Sequence, residues 1–134
     1  MKAIKLLSVI GVLWSLTACD FMDAIDEEHL QGRYEGTFQR FVDGTPRGLA
    51  AVEISFEGGS FSGNSEEPKY PAICAGNYSI KQSTITFSNT CFFTADFDWT
   101  LILSGDFKIE RDGEELILSK NEGNVLDKYR LVKK

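Results

Sequence analysis

Cys74-Ala75-Gly76-Asn77-Tyr78-Ser79-Ile80-Lys81-Gln82-Ser83-Thr84-Ile85-Thr86-Phe87-Ser88-Asn89-Thr90-Cys91 is the stretch that decides the fold. Its side chains alternate with period two. Cys74, Gly76, Tyr78 and Ile80 share one face with Ile85, Phe87, Asn89 and Cys91, while Asn77, Ser79, Lys81, Thr84, Thr86 and Ser88 take the other. One apolar and one polar face is the signature of an antiparallel pair with one side against a core. With Gln82-Ser83 as a two-residue turn, Cys74 falls opposite Cys91 in a non-hydrogen-bonded pair. Cα atoms in such pairs lie about 4.5 Å apart, within reach of a disulfide. A Cys74–Cys91 bond is therefore expected, contributing roughly 3 kcal/mol in the chain-entropy model. A redox-active pair is the weaker reading, because the spacing is not Cys-x-x-Cys.

The same alternation extends in both directions. Upstream, Tyr34, Gly36 and Phe38 alternate with Glu35, Thr37 and Gln39; a turn-rich loop, Asp43–Gly48, leads to Ala50, Val52, Ile54 and Phe56; and Gly58-Gly59 turns the chain toward Phe61. Downstream come Trp99, Leu101 and Leu103, then a hairpin at Asp112-Gly113 that sets Phe107 and Ile109 opposite Leu118 and Leu116, then Tyr129 and Leu131. About eight short strands joined mostly by tight turns predict an all-β, up-and-down antiparallel meander barrel. Alternation alone does not decide whether it closes.

Gly32-Arg33-Tyr34 at the first strand, the eight-strand meander, and the closing segments Asp112–Leu118 and Tyr129-Arg130-Leu131 resemble small lipocalin-like (calycin) barrels of bacterial lipoproteins. The closing segments are also similar to META-type envelope domains. Tyr34 stands where lipocalins carry tryptophan. The resemblance implies a barrel over residues 32–134 with a pocket for an apolar ligand.

The amino terminus has its own reading. Lys2 and Lys5 precede an apolar run, Leu6–Leu16, that is too short to span a bilayer, the pattern of a secretory signal peptide over residues 1–18. Leu16-Thr17-Ala18-Cys19 resembles a lipobox. What that implies is cleavage before Cys19, a diacylglyceryl thioether on Cys19, acylation of the new amino terminus and attachment to a membrane of the bacterial cell envelope. Several acyl chains anchor stably where one is marginal. Residues 19–31 read as the lipidated cysteine and an acidic tether, with Asp20, Asp23, Asp26, Glu27 and Glu28. The acidic residues fit a sorting signal or a solvated linker equally, so the choice of inner or outer membrane stays open.

Removing residues 1–18 takes away Lys2 and Lys5 and no acid, leaving 12 basic against 20 acidic residues and a formal charge of −8. That balance argues against nucleic acid and anionic lipid surfaces as partners of the domain itself. No catalytic constellation emerges. His29 is the sole histidine and lies in the acidic segment, so neither a Ser-His-Asp triad nor a histidine metal site can be assembled. Gly58–Gly63 lacks the Lys-Ser/Thr ending of a phosphate loop. Asp96-Phe97-Asp98 lacks the further ligands of a calcium loop. The acids around Asp112-Gly113 are ordinary for a hairpin tip, which ranks a paired-carboxylate glycosidase far below a non-enzyme. No cofactor or metal is expected.

Two features point to binding. Tyr34, Phe38, Tyr78, Phe87 and Trp99 have the parity and apolar character of pocket lining. In a barrel this short the same rings more readily serve as filling, since eight strands leave room for little beyond side chains. The polar stretch Asn64–Pro71 is the natural lid over a mouth. Ile102, Ile117 and Val132 carry outward parity and would form an apolar stripe for a partner if their strands are neighbours. Two functions follow. The first is a lipid-anchored, non-enzymatic carrier of a small apolar ligand or lipid. The second is a packed barrel that holds another envelope protein as an interaction or inhibitor-like module.

Overall fold

The computed structural model describes residues 25–134. The signal peptide 1–18, the lipobox with Cys19 and the tether as far as residue 24 lie outside the described residues. Within them the chain forms a short helix α1 (Glu27–Leu30) and eight strands: β1 (Gly32–Val42), β2 (Thr45–Glu57), β3 (Ser60–Ser65), β4 (Cys74–Lys81), β5 (Thr84–Asn89), β6 (Gly105–Asp112), β7 (Glu115–Glu122) and β8 (Val125–Lys133). Consecutive strands pair antiparallel, and β8 returns to β1, so the barrel is closed. Closure gives every strand a neighbour on both sides, with one-sided stretches remaining where strand lengths differ, as at residues 45–51 of β2 beyond its pairing with β3. Among the described residues no helix is long and apolar enough to cross a membrane.

Up-and-down connectivity sorts the connections onto two ends. The lower end carries α1, the turns after β2, β4 and β6, and the end of β8. The upper end carries Asp43-Gly44, the segment between β3 and β4, the long segment between β5 and β6, and Gly123-Asn124. Asp43 and Gly44 have φ of 51° and 75°, the left-handed pair of a I′ hairpin turn. The expected Asp43–Gly48 loop is thus a two-residue turn, and β2 already begins at Thr45. Gln82-Ser83 forms the expected tight turn between Lys81 and Thr84. The later hairpin turns one residue further on than expected, at Gly113-Glu114, because glycine takes the first central position with φ of 60°. Ile109 then pairs with Leu118 and Arg111 with Leu116, a register displaced by two residues that keeps every side chain on its expected face.

Trp99–Leu103 is not a strand. Asp98 accepts from the Thr100 N–H at 3.0 Å and starts a 3₁₀ turn over Trp99–Leu101, local bonding that competes with extended pairing. Both ends of the barrel are covered. Below, Leu30 and Ile25 are buried against the core. Gln31 fixes α1 there: its Nε2 donates to the Tyr78 hydroxyl at 3.0 Å and its Oε1 accepts from the Gly58 N–H at 2.7 Å. Residues 25–31, read from sequence as the last part of the tether, are therefore packed onto the domain. Above, the two long segments zip together, with Ala72 N–H donating to the Leu101 carbonyl at 3.0 Å and Leu103 N–H to the Ala72 carbonyl at 2.9 Å. Ile73, Phe97 and Leu103 are buried beneath them.

Candidate functional site

Tyr34, Phe38, Tyr78 and Phe87 all point inward and are at most 5 % exposed. They are brought together as a continuous stack of rings, not as the wall of a hollow. Tyr34 and Tyr78 meet Phe56 edge-on at 5.6 and 5.1 Å; Phe56 leads to Phe87 at 6.3 Å, and Phe87 to Phe107 at 5.6 Å. Phe107 touches Tyr129 at 5.9 Å and Tyr129 touches Phe38 at 4.8 Å, so rings in contact run from one end of the interior to the other. These are the separations and tilts of packed aromatic pairs. The Tyr34 hydroxyl is buried without a hydrogen-bond partner among the described residues. Burial pushes its pKa up, with Arg111 pulling against it. Burial likewise drives Tyr129 well above the usual phenol range.

Trp99 does not join this stack. It is 59 % exposed on the 3₁₀ turn of the upper segment. The parity count placed it inward only because that segment was read as a strand.

The apolar stripe is also corrected. Ile102 lies in the upper loop, bridged to Ala72, far along the barrel axis from the lower ends of β7 and β8. Ile117 and Val132 are diagonal neighbours on β7 and β8. Ile117 is only 7 % exposed between its cross-strand partners Glu110 and Arg130, and Val132 is 36 % exposed. No continuous apolar surface joins the three.

The upper rim is organised by residues that the sequence reading passed over. Arg40 is opposite Asp127 on the β1–β8 seam, and both have inward parity at the end of the barrel. The guanidinium donates to the two carboxylate oxygens at 2.7 and 2.8 Å, to the Thr100 hydroxyl at 3.1 Å and to the Thr100 carbonyl at 3.1 Å. Bonding to Asp127 raises the Arg40 pKa further. A bulge prepares this position, since β2 sets Arg47 and Gly48 against Arg40 alone. The bulge carbonyls are satisfied by the Gln39 amide on Arg47, at 3.1 Å, and the Tyr70 hydroxyl on Gly48, at 2.9 Å. Tyr70, from the expected lid, thus closes the rim edge-on against Phe38 at 5.3 Å. A cleft of about 360 Å³ lies outside the pair, bordered by Trp99, Thr100, Ser104, Lys120 and Glu122. Its cations are already engaged: Lys120 donates to the Ser104 carbonyl at 3.1 Å and lies 5.5 Å from the centre of the Phe107 ring. Arg40 and Lys120 thus hold the loops at this rim in place. A signal for Arg40 and Asp127 was present in the sequence: both continue the inward parity of otherwise apolar strands.

Beside the cleft, the segment from Thr90 to Ser104 displays aromatic side chains to solvent. Phe92 is fully exposed, at 103 % of its reference area. Phe93 stacks on Phe97 at 5.5 Å and meets Trp99 at 6.5 Å. The segment is held at its start by the Cys74–Cys91 disulfide, as expected. Cys91 sits two residues beyond β5, so the Cα atoms are 6.4 Å apart, further than in a continuous ladder. Asn89 stitches the same point, donating to the Ile73 carbonyl at 2.7 Å and accepting from the Cys91 N–H at 3.1 Å.

His29 bonds within its own helix, where the N-cap Asp26 carboxylate accepts from its backbone N–H at 2.8 Å and lies 2.6 Å from its ring Nδ1 in solvent. Among the described residues no three His, Cys, Asp or Glu side chains cluster as a metal site. Comparison with protein-family models, curated proteins and solved structures found no match.

Proposed function

We propose that this chain is a lipid-anchored, non-enzymatic protein of the bacterial cell envelope whose barrel is a packed scaffold for contact with another protein. The membrane attachment rests on the lipobox-like Leu16-Thr17-Ala18-Cys19 and its place after an apolar run. The choice between carrier and interaction module rests on one observation, the chain of rings in mutual contact from Tyr34 to Phe38 through the whole interior. A carrier of an apolar ligand needs a cavity of several hundred Å³, and these side chains occupy that space. With both ends covered, the binding surface of such a molecule is its outside.

Native mass spectrometry of the full-length product, extracted from membranes in mild detergent, tests this reading. The expected mass is the chain from Cys19 with its acyl groups and the disulfide, without further adduct; Cys19→Ser should lose the acyl mass and the membrane fraction. A small apolar molecule retained by the folded protein and released on denaturation would return the carrier reading.

A further inference from the structure

We infer that the disulfide-held upper loop is the docking element, and that its partner is a protein presenting an apolar pocket rimmed by lysine or arginine. The inference rests on the interaction-module reading above. A fully exposed phenylalanine in a chain that packs most of its aromatics inside calls for a reason. Every other phenylalanine among the described inward positions is covered, whereas Phe92 is wholly in solvent and Phe93 and Trp99 flank the same loop.

The loop is also rigidly held. The Cys74–Cys91 bond fixes its start, Arg40 grips Thr100 in its middle, and the Ala72 bridge secures residues 101–103. A loop whose backbone is already held loses little conformational freedom on binding, and aromatic side chains dominate interface energies when they enter a pocket.

Charge selects among the occupants. The loop carries Asp96 and Asp98, and the adjoining turn carries Glu66 and Glu67. Two cations lie nearby: Lys69 is drawn over the Phe97 ring at 5.6 Å, and Arg40, already held by Asp127, lies 3.6 Å from Asp98. That leaves Asp96, Glu66 and Glu67 as the outward acids of the rim. Asp98 is held below the ordinary carboxylate range by Thr100, and Asp96 by Thr94, so both are charged at neutral pH. An acidic rim around exposed rings is repelled by anionic lipid headgroups and by a second acidic copy of this chain. It complements a basic protein surface.

Position adds a further argument. The described chain begins at the lower end, beside α1, and the aromatic loop lies at the opposite end. An anchor preceding residue 25 therefore leaves the loop facing away from the membrane that holds it.

The test is photocrosslinking of the full-length, membrane-inserted protein in its own cells, with p-benzoylphenylalanine at position 92 and, separately, at position 108 on the outer face of β6. A protein adduct at 92 alone is expected. The captured protein should then bind the purified chain with an affinity that falls roughly thirty-fold for Phe92→Ala. That affinity should also fall with added salt and with the triple neutralisation E66Q/E67Q/D96N. A lipid adduct, an adduct of twice the chain's own mass, or binding indifferent to both salt and the neutralised rim would overturn the proposal. Protein adducts at 108 but not at 92 would overturn it too, while leaving the interaction-module reading in place. Absence of protein adducts at both positions would count against that reading as well.

Discussion

The Arg40 guanidinium spans the β1–β8 seam to hold both oxygens of Asp127, and the same group pins Thr100 of the upper loop. One largely covered cation thus joins barrel closure to loop position. Asp127 is 6 % exposed, so the pair is little screened.

Removing one partner leaves the other charge uncompensated. Asp127→Ala should lower stability by about 3 kcal/mol in urea titration. The double variant Arg40→Met/Asp127→Leu should recover most of that loss, because a packed apolar pair avoids the desolvation penalty. If the single and double variants were equally destabilised, the packing of the two side chains would matter more than their charge.

Phe87 touches Phe56, Phe61 and Phe107 in the middle of the interior. Phe87→Ala should cost about 3–5 kcal/mol. It should also open a dry cavity that takes up benzene or xenon. Thermal shift in the presence of benzene should therefore be seen in the variant and not in the parent protein.

Gly36 lies opposite Leu131 where β1 meets β8, and a Cβ there would run into the Arg130 carbonyl. Gly36→Ala must push the two strands apart or break the ladder. We expect it to yield little folded protein, measured by near-ultraviolet circular dichroism. Gly44→Ala, at an open turn with nothing near the new atom, should cost only the strain of its positive φ.

Alkaline unfolding should be led by buried phenols. Burial raises Tyr129, with the neighbouring Asp127 charge adding and Arg40 opposing; Tyr34 and Tyr78 are also raised by burial. A raised folded pKa gives stability that is complete below the unfolded value, about 10. It is lost as pH climbs through the folded value. Phenolate absorbance should accordingly appear together with unfolding for these three, and Tyr129→Phe should move the alkaline midpoint upward.

Strand pattern and handedness of faces were legible because one buried side per strand forces period two. Gln82-Ser83 and the Cys74–Cys91 pair could be counted out directly from the turn. The segment before β6 was not legible in that way. Trp99, Leu101 and Leu103 mimic alternation, and the Asp98–Thr100 cap that overrides it is a single side-chain bond. Closure was hidden for a different reason: pairing of β1 with β8 depends on residues about a hundred positions apart, such as Phe38 and Tyr129. The exposure of Phe92 was equally beyond parity, since the residue follows the last strand position of its hairpin. The rings of the candidate loop could be seen in the sequence, but not the side to which they turn.

Helix α1 and the Gln31 clasp give the barrel a mechanical direction. Tension applied to the chain ahead of Ile25 first draws on Leu30 and on the bonds from Gln31 to Tyr78 and Gly58. It then loads β1 along its length, and β1 is bonded on both edges, to β2 and β8. Force arriving in that geometry must slide a strand past two neighbours in shear, breaking many bonds together. An edge strand would unzip them one at a time. A domain held at that end is built to resist being pulled from it.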